Sequence, residues 1–141
     1  MLNWFRDKTN KSKNSSERSL DGTYKIKWVQ YHPTKQRFTA QELHMENTKL
    51  TLSGNNFDII SPIERGEHSG YVMHEKGTFS LMKSENNQEL ITLYVDGDEV
   101  FATGVVYRAY YYTQIYKFII VDRHYRLQDY RFEFRHENGE E

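Results

Sequence analysis

The chain has 141 residues and a net charge of -1, and 15% of its residues are aromatic (8 Phe, 2 Trp and 11 Tyr). It contains no cysteine, which excludes disulfide staples and thiolate metal sites, and its balanced charge gives no electrostatic reason to expect nucleic acid. Tyrosine-rich sequence with 37% hydrophobic residues favours β-sheet and excludes a chain that is disordered throughout.

Residues 1–21 differ from the rest of the chain, because residues 6–21 are mostly Lys, Asn and Ser with almost nothing to bury. We predict a flexible basic tail there. Leu2, Trp4 and Phe5 at its start are a frayed end, a stub packed on the domain, or an anchor for weak peripheral membrane contact. No apolar run near the start looks like a signal peptide, so we expect a cytoplasmic protein, or an extracellular one whose signal has been removed.

The remaining chain predicts one domain over residues 22–136, followed by an acidic end at residues 137–141. Its first half alternates: Tyr24, Ile26 and Trp28 share one face of a strand over Gly22–Tyr31. Residues 37–47 form a short helix or an irregular strand. Strands over 49–53 and 57–61 flank Gly54-Asn55-Asn56, whose residue types favour the tight turn of a β-hairpin. A loop is predicted over 61–69.

The second half predicts strands that are joined mostly by tight turns. Turns are expected at Lys76-Gly77, at residues 84–88, at Asp96-Gly97-Asp98 and at Arg123-His124. Gly104 inside the long strand over 99–112 predicts a bulge or bend. The predicted strands of this half cover residues 71–75, 78–83, 89–95, 99–112, 116–122 and 125–135.

About eight or nine strands with short connections leave little room for parallel crossovers. We therefore predict an all-β fold, an antiparallel up-and-down meander closed into a small barrel, since closure removes exposed strand edges. A β-sandwich is the alternative.

Two short motifs resemble those of the lipocalins and related calycin barrels. Gly22-Thr23-Tyr24 is similar to the Gly-x-Trp start of that family, with tyrosine in place of tryptophan, and residues 121–125 resemble its Thr-Asp-Tyr turn with two residues inserted. The resemblance implies that Arg131 or Arg135 packs across Tyr24 near a closed barrel end. It also implies that the open end admits a small apolar ligand.

Tyrosines are concentrated late in the chain, between residues 107 and 130. They pack in the core and pave the outer sheet, line an amphipathic ligand cavity, or form a protein-binding face. We predict a non-catalytic barrel that binds a small apolar or amphipathic ligand. The alternative is a protein-interaction module with an exposed tyrosine-rich face, possibly a homodimer. The predicted ligand-binding residues are Tyr24, Trp28, Phe79, Leu81, Phe101, Tyr107 and Tyr111.

Catalytic and cofactor sites have little support in the sequence. His68 and His74 are about 20 Å apart on a continuous strand at roughly 3.3 Å per residue, too far to share one metal ion. Asp122 and His124 could hydrogen-bond in a turn, but no activated nucleophile accompanies them. We expect no enzyme activity, no cofactor, no metal and no nucleic-acid partner.

Overall fold

A computed structural model describes residues 19–62, 69–121 and 127–137 of the chain. Most of these residues are in strands, and a 3-10 turn at Gln41–Leu43 lies between the second and third of them. The strands are β1 (Gly22–Tyr31), β2 (Gln36–Phe38), β3 (Lys49–Ser53), β4 (Asn56–Pro62), β5 (Val72–Lys83), β6 (Glu89–Val95), β7 (Glu99–Arg108), β8 (Thr113–Ile120) and β9 (Tyr130–His136).

The strands form one antiparallel sheet that closes on itself. Its order is β2-β1-β3-β4-β5-β6-β7-β8-β9, and β1 also pairs with β9. The barrel therefore has eight strands, β1 and β3 to β9. The short strand β2 pairs with the second half of β1, whereas β3 pairs with its first half. The predicted up-and-down barrel is confirmed in place of the alternative sandwich.

Apolar side chains from every strand of the ring fill the barrel interior. The rings of Phe118, Phe132 and Phe134 contact one another with centroids 5.0 to 6.4 Å apart. Leu43 and Leu127, from the connections, pack against the same core. Burying each such side chain stabilises the fold by about 1.5–3 kcal/mol, so this single core is the main source of stability.

A bulge in β1 reverses part of the predicted alternation. Ile26 pairs with Phe134 and Trp28 pairs with Glu133, which are neighbours in β9, so Lys27 is an extra residue. One extra residue moves the following side chains to the opposite face of the strand. Val29 is therefore buried while Trp28 lies on the outer wall. The prediction that Trp28 shares the inner face of Tyr24 is wrong for this reason.

The predicted turn at Lys76-Gly77 is wrong, because β5 runs unbroken from Val72 to Lys83. A Cβ atom at Gly77 would lie 1.8 Å from the carbonyl oxygen of Tyr94. Glycine is needed at this position because β5 and β6 approach each other closely there.

The long strand predicted over residues 99–112 is interrupted in the structure. β7 ends at Arg108 and β8 begins at Thr113, and the backbone N–H of Ala109 donates to the carbonyl oxygen of Tyr112 at 2.8 Å. The register irregularity predicted at Gly104 is confirmed, since the β7–β8 pairing shifts between Thr103 and Val105.

Several predictions fall on residues that the structure does not describe. These are most of the predicted tail, residues 63–68 of the predicted loop, the turn at Arg123-His124, and the acidic end after Glu137. The ambiguous segment over 37–47 contains the end of β2 and the 3-10 turn.

The last three residues of the predicted tail are held on the barrel. Leu20 is buried in the core and accepts a hydrogen bond from the Tyr24 hydroxyl at 2.8 Å. Asp21 accepts a bond from the Gly54 backbone N–H at 2.9 Å, and its carbonyl oxygen lies 2.9 Å from a ring nitrogen of His136. Residues 19–21 therefore belong with the barrel.

We predict that Gly77→Ala destabilises the protein by about 1–3 kcal/mol, because the new methyl group must push the Tyr94 carbonyl away. Urea unfolding followed by circular dichroism measures this loss. Gly54→Ala is the control, since its methyl group meets nothing within 4 Å and its cost comes from the positive φ of 61° alone. Equal unfolding midpoints for Gly77→Ala and the wild type would contradict the close approach.

Candidate functional site

Two of the predicted ligand-binding residues, Tyr24 and Phe101, are fully buried in the core. Phe101 stacks on Phe57 with 5.9 Å between ring centroids. Burial raises the pKa of Tyr24 well above its usual range, so its hydroxyl remains the proton donor to Leu20. Both side chains therefore fill the barrel interior.

The packing around Tyr24 differs from the lipocalin-type arrangement. His136 packs edge-on against the Tyr24 ring with centroids 4.9 Å apart. The guanidinium of Arg135 instead lies 4.2 Å over the Tyr112 ring, and Arg131 lines a groove on the outer wall. The expectation that one of these arginines packs across Tyr24 is wrong, because both alternate with the buried phenylalanines of β9.

Phe79 and Leu81 line a depression at the end of the barrel that holds residues 19–21. Leu20 and Arg108 form other parts of its wall. Its volume is about 270 Å³. Sites for drug-sized ligands begin at about 300 Å³, so this depression offers room for a very small molecule only.

The other two predicted residues, Tyr107 and Tyr111, lie on what we call the tyrosine hairpin, residues 107–112. Tyr107, Tyr110 and Tyr111 are 51%, 80% and 69% exposed. Tyr110 and Tyr111 pack edge to face with centroids 4.6 Å apart, and Tyr107 contacts Tyr112 at 6.5 Å. The hairpin therefore presents large amphipathic rings to solvent and holds them against each other.

An ion pair fixes the base of the tyrosine hairpin. The Nε and Nη2 atoms of Arg108 each donate to a different carboxylate oxygen of Glu89 at 2.8 Å. The Arg108 and Glu89 side chains are mostly buried. Such a two-bond geometry restrains orientation as well as distance, so the hairpin leaves the barrel in a defined direction.

A second surface feature, which we call the outer groove, lies on the wall formed by β2, β1, β9 and β8. It has a volume of about 480 Å³. Its lining includes four cationic side chains, one carboxylate, an exposed histidine and three apolar or aromatic side chains. These residues are Lys35, Arg37, Lys117, Arg131, Glu133, His32, Trp28, Tyr116 and Ile119.

Two bulges position the walls of the outer groove. In β8, Ile115 pairs with Phe134 and Phe118 with Phe132, so two residues of β8 face Glu133 alone. On the other side of β9, the bulge at Lys27 in β1 adjoins Trp28, which pairs with Glu133. Bulges redirect side chains and bend strands, and these two place Tyr116 and Trp28 on the outer wall on either side of β9.

The Glu133 carboxylate holds the groove residues together. Arg37 donates to it at 3.3 Å, and the Gln114 side-chain amide donates to its other oxygen. The same Arg37 guanidinium lies 4.6 Å from the centroid of the Trp28 ring. One carboxylate thus links β2, β8 and β9 across the outer wall.

The positive charge of the groove affects the pKa of His32. Arg131 and Lys35 lower the pKa of this imidazole below its usual value of 6.5, while Asp129 opposes them. Cationic neighbours lower a histidine pKa because protonation adds another positive charge. His32 therefore reports on the charge in the outer groove.

The sequence predictions did not include the outer groove. Its residues come from four strands and one turn, and strand alternation places Trp28 on the opposite face. The only sequence signal is the alternation of charged and aromatic residues in β9, where Arg131, Glu133 and Arg135 alternate with buried rings.

The residues that the structure describes offer little support for a catalytic or metal site. No group of three or more metal-ligating side chains occurs among them. Asp58 and His74 form a hydrogen bond of 3.1 Å, but both side chains are more than two-fifths exposed. The Asp122–His124 pair and His68 lie outside the described residues.

Comparison with protein-family models, with curated proteins and with solved structures finds no match to this chain. Within the described ranges, no helix combines the length and apolar character needed to cross a membrane. The two candidate sites, the tyrosine hairpin and the outer groove, are therefore defined by their geometry alone.

We predict that Arg131→Gln raises the pKa of His32 toward its usual value, because a neighbouring positive charge is removed. A pH titration of the His32 ring protons by NMR measures the change. Lys49→Gln, on β3, serves as the control and leaves the titration unaltered. An unchanged His32 titration in Arg131→Gln would show that the Arg131 charge does not act on this imidazole.

Proposed function

We propose that this protein is a non-catalytic binding module that recognises a protein partner through the tyrosine hairpin. The observation that carries the proposal is the exposure of Tyr107, Tyr110 and Tyr111 on a hairpin whose base is held by a mostly buried ion pair. Exposed rings of this size attract partners, because covering them removes apolar surface from water.

Tyrosine suits protein recognition for two physical reasons. Its ring supplies a large apolar contact area while its hydroxyl forms one hydrogen bond, which is why tyrosine is enriched among the residues that dominate interface energies. The Tyr110 and Tyr111 rings already pack against each other. Side chains held in place before association lose less freedom on binding, so more of the contact energy appears as affinity.

The packed interior favours this proposal over a ligand held inside the barrel. Tyr24, Phe101 and the other core side chains occupy the space where a calycin would hold an apolar molecule. The closed eight-stranded antiparallel barrel and the Gly22-Thr23-Tyr24 start of β1 support a distant relation to that family. The relation we propose concerns the fold, since Arg131 and Arg135 do not take the family position.

Binding of a small apolar or amphipathic molecule is the second candidate function. It is favoured by the half-exposed Leu81 beside Phe79 in the depression at the barrel end. Such a molecule would gain a deeper site by displacing Leu20, whose carbonyl oxygen accepts the Tyr24 hydroxyl.

The test uses the double variant Tyr110→Ser/Tyr111→Ser as bait beside the wild-type protein. We expect a partner that the wild type retains from lysate of the native host, identified by quantitative mass spectrometry, to be lost from the double variant. Titration with the purified partner should then show at least a tenfold weaker affinity, which corresponds to about 1.4 kcal/mol.

Tyr71→Ser is the matched control, because Tyr71 is an exposed tyrosine remote from the hairpin in sequence. It should retain the partner, and all variants should unfold at similar urea concentrations. Equal retention of every protein by the wild type and the double variant would contradict the proposal. Light scattering across a concentration series separates a homodimer, which the same double variant would dissociate, from a different partner.

A further inference from the structure

We propose that the outer groove binds a small organic anion that has a flat apolar body, of the aryl phosphate or aryl carboxylate type. The inference does not depend on the tyrosine hairpin. It combines the volume of the groove, its surplus of cations, its aromatic walls and its strained backbone.

The groove carries more positive charge than its own carboxylate neutralises. Glu133 accepts hydrogen bonds from Arg37 and Gln114. Among the described residues, Lys35, Lys117 and Arg131 have no carboxylate within ion-pair distance. In a chain of net charge -1, three such cations around one depression form a local site for an anion.

Arg131 is held in position without being neutralised. Its guanidinium donates to the carbonyl oxygens of Gln128 at 2.8 Å and of Tyr130 at 3.2 Å. Neutral acceptors fix the side chain while leaving its charge and its other N–H groups available to a ligand. A guanidinium offers a planar set of donors that matches phosphate and carboxylate oxygens.

The apolar part of the groove calls for a ligand that is more than a bare ion. Ile119, Trp28 and Tyr116 belong to its lining. Cations already lie near the two aromatic rings, with Arg37 4.6 Å from the Trp28 centroid and Lys117 5.9 Å from that of Tyr116. A ligand that joins an anionic group to a ring can use both kinds of lining group at once.

Lys117 occupies a backbone conformation that most residues avoid. Its φ is 50°, inside strand β8 and at the bulge opposite Glu133. Left-handed conformations of residues with a Cβ atom cost free energy, and strain of this kind is concentrated at functional sites. A glycine at this position would avoid the strain, but the chain has a lysine there, and its side chain lies on the groove wall.

The size of the groove favours a small molecule. Its volume of about 480 Å³ lies in the range of small-molecule sites. A long polyanion would extend beyond the groove onto a surface that has no overall positive charge.

Calorimetry at pH 7 with phenyl phosphate, inorganic phosphate and phenol tests the proposal. We expect phenyl phosphate to bind at least tenfold more tightly than either of the other two compounds. Its affinity should fall as salt rises, because the attraction is electrostatic. NMR titration should also show that saturating phenyl phosphate raises the pKa of His32, since an anion beside Arg131 and Lys35 offsets their effect.

Variants locate the binding on the protein. Arg131→Gln and Lys117→Gln should each weaken phenyl phosphate binding about tenfold. Lys35→Gln, on an exposed turn, should weaken binding likewise and replaces either of those variants if it fails to fold. Lys49→Gln should bind like the wild type, and so should Tyr110→Ser/Tyr111→Ser, which separates this site from the tyrosine hairpin.

Three results would overturn the proposal. The first is equal affinity for inorganic phosphate and phenyl phosphate, which would mean that the aromatic wall contributes nothing. The second is an equal loss of affinity in Lys49→Gln, which would mean unspecific attraction to surface charge. The third is tight retention of a single-stranded oligonucleotide without measurable phenyl phosphate binding, which would identify a polyanion surface instead.

Discussion

Closure of the barrel through the pairing of β1 with β9 is the constraint on which the rest of this structure depends. That pairing buries the edges of the first and last strands, and it is achieved with one extra residue in β1, at Lys27. A second extra residue in β8 faces Glu133 from the other side of β9. The two bulges turn Trp28 and Tyr116 outward, so the irregularities that accompany closure also build the outer groove.

Closure also decides where the candidate sites lie. Because side chains from all eight strands fill the barrel interior, the outer groove and the tyrosine hairpin both lie on its outer surface. The wall over β8, β9 and β1 carries the outer groove, and the tyrosine hairpin stands at the start of β8. Arg135 over the Tyr112 ring and the Gln114–Glu133 contact lie between these two features. This wall therefore forms a continuous polar and aromatic surface on a rigid support.

The sequence predicts those parts of the fold that follow from local chemistry. Alternation identified the strands, and Gly54-Asn55 and Asp96-Gly97 marked two hairpins, because these residues adopt positive φ easily. The turn at 109–112 was missed, since Ala-Tyr-Tyr-Tyr contains no such residue. The bulge in β1 is not visible in the sequence, because an extra residue is defined only by the strand opposite it. Predicting that Trp28 lies outside therefore requires knowing that β1 pairs with β9.

The same argument explains why the outer groove contains a residue that looked like core. Tyrosine and tryptophan satisfy the alternation rule wherever they occur, so sequence alone assigns them to whichever face the strand parity gives. A single bulge reverses that assignment and converts an apparent cavity wall into an outer surface. Trp28 is then half-buried under Arg37, whose guanidinium is held by Glu133. A residue that would only have added to the core thereby becomes part of a charged aromatic groove.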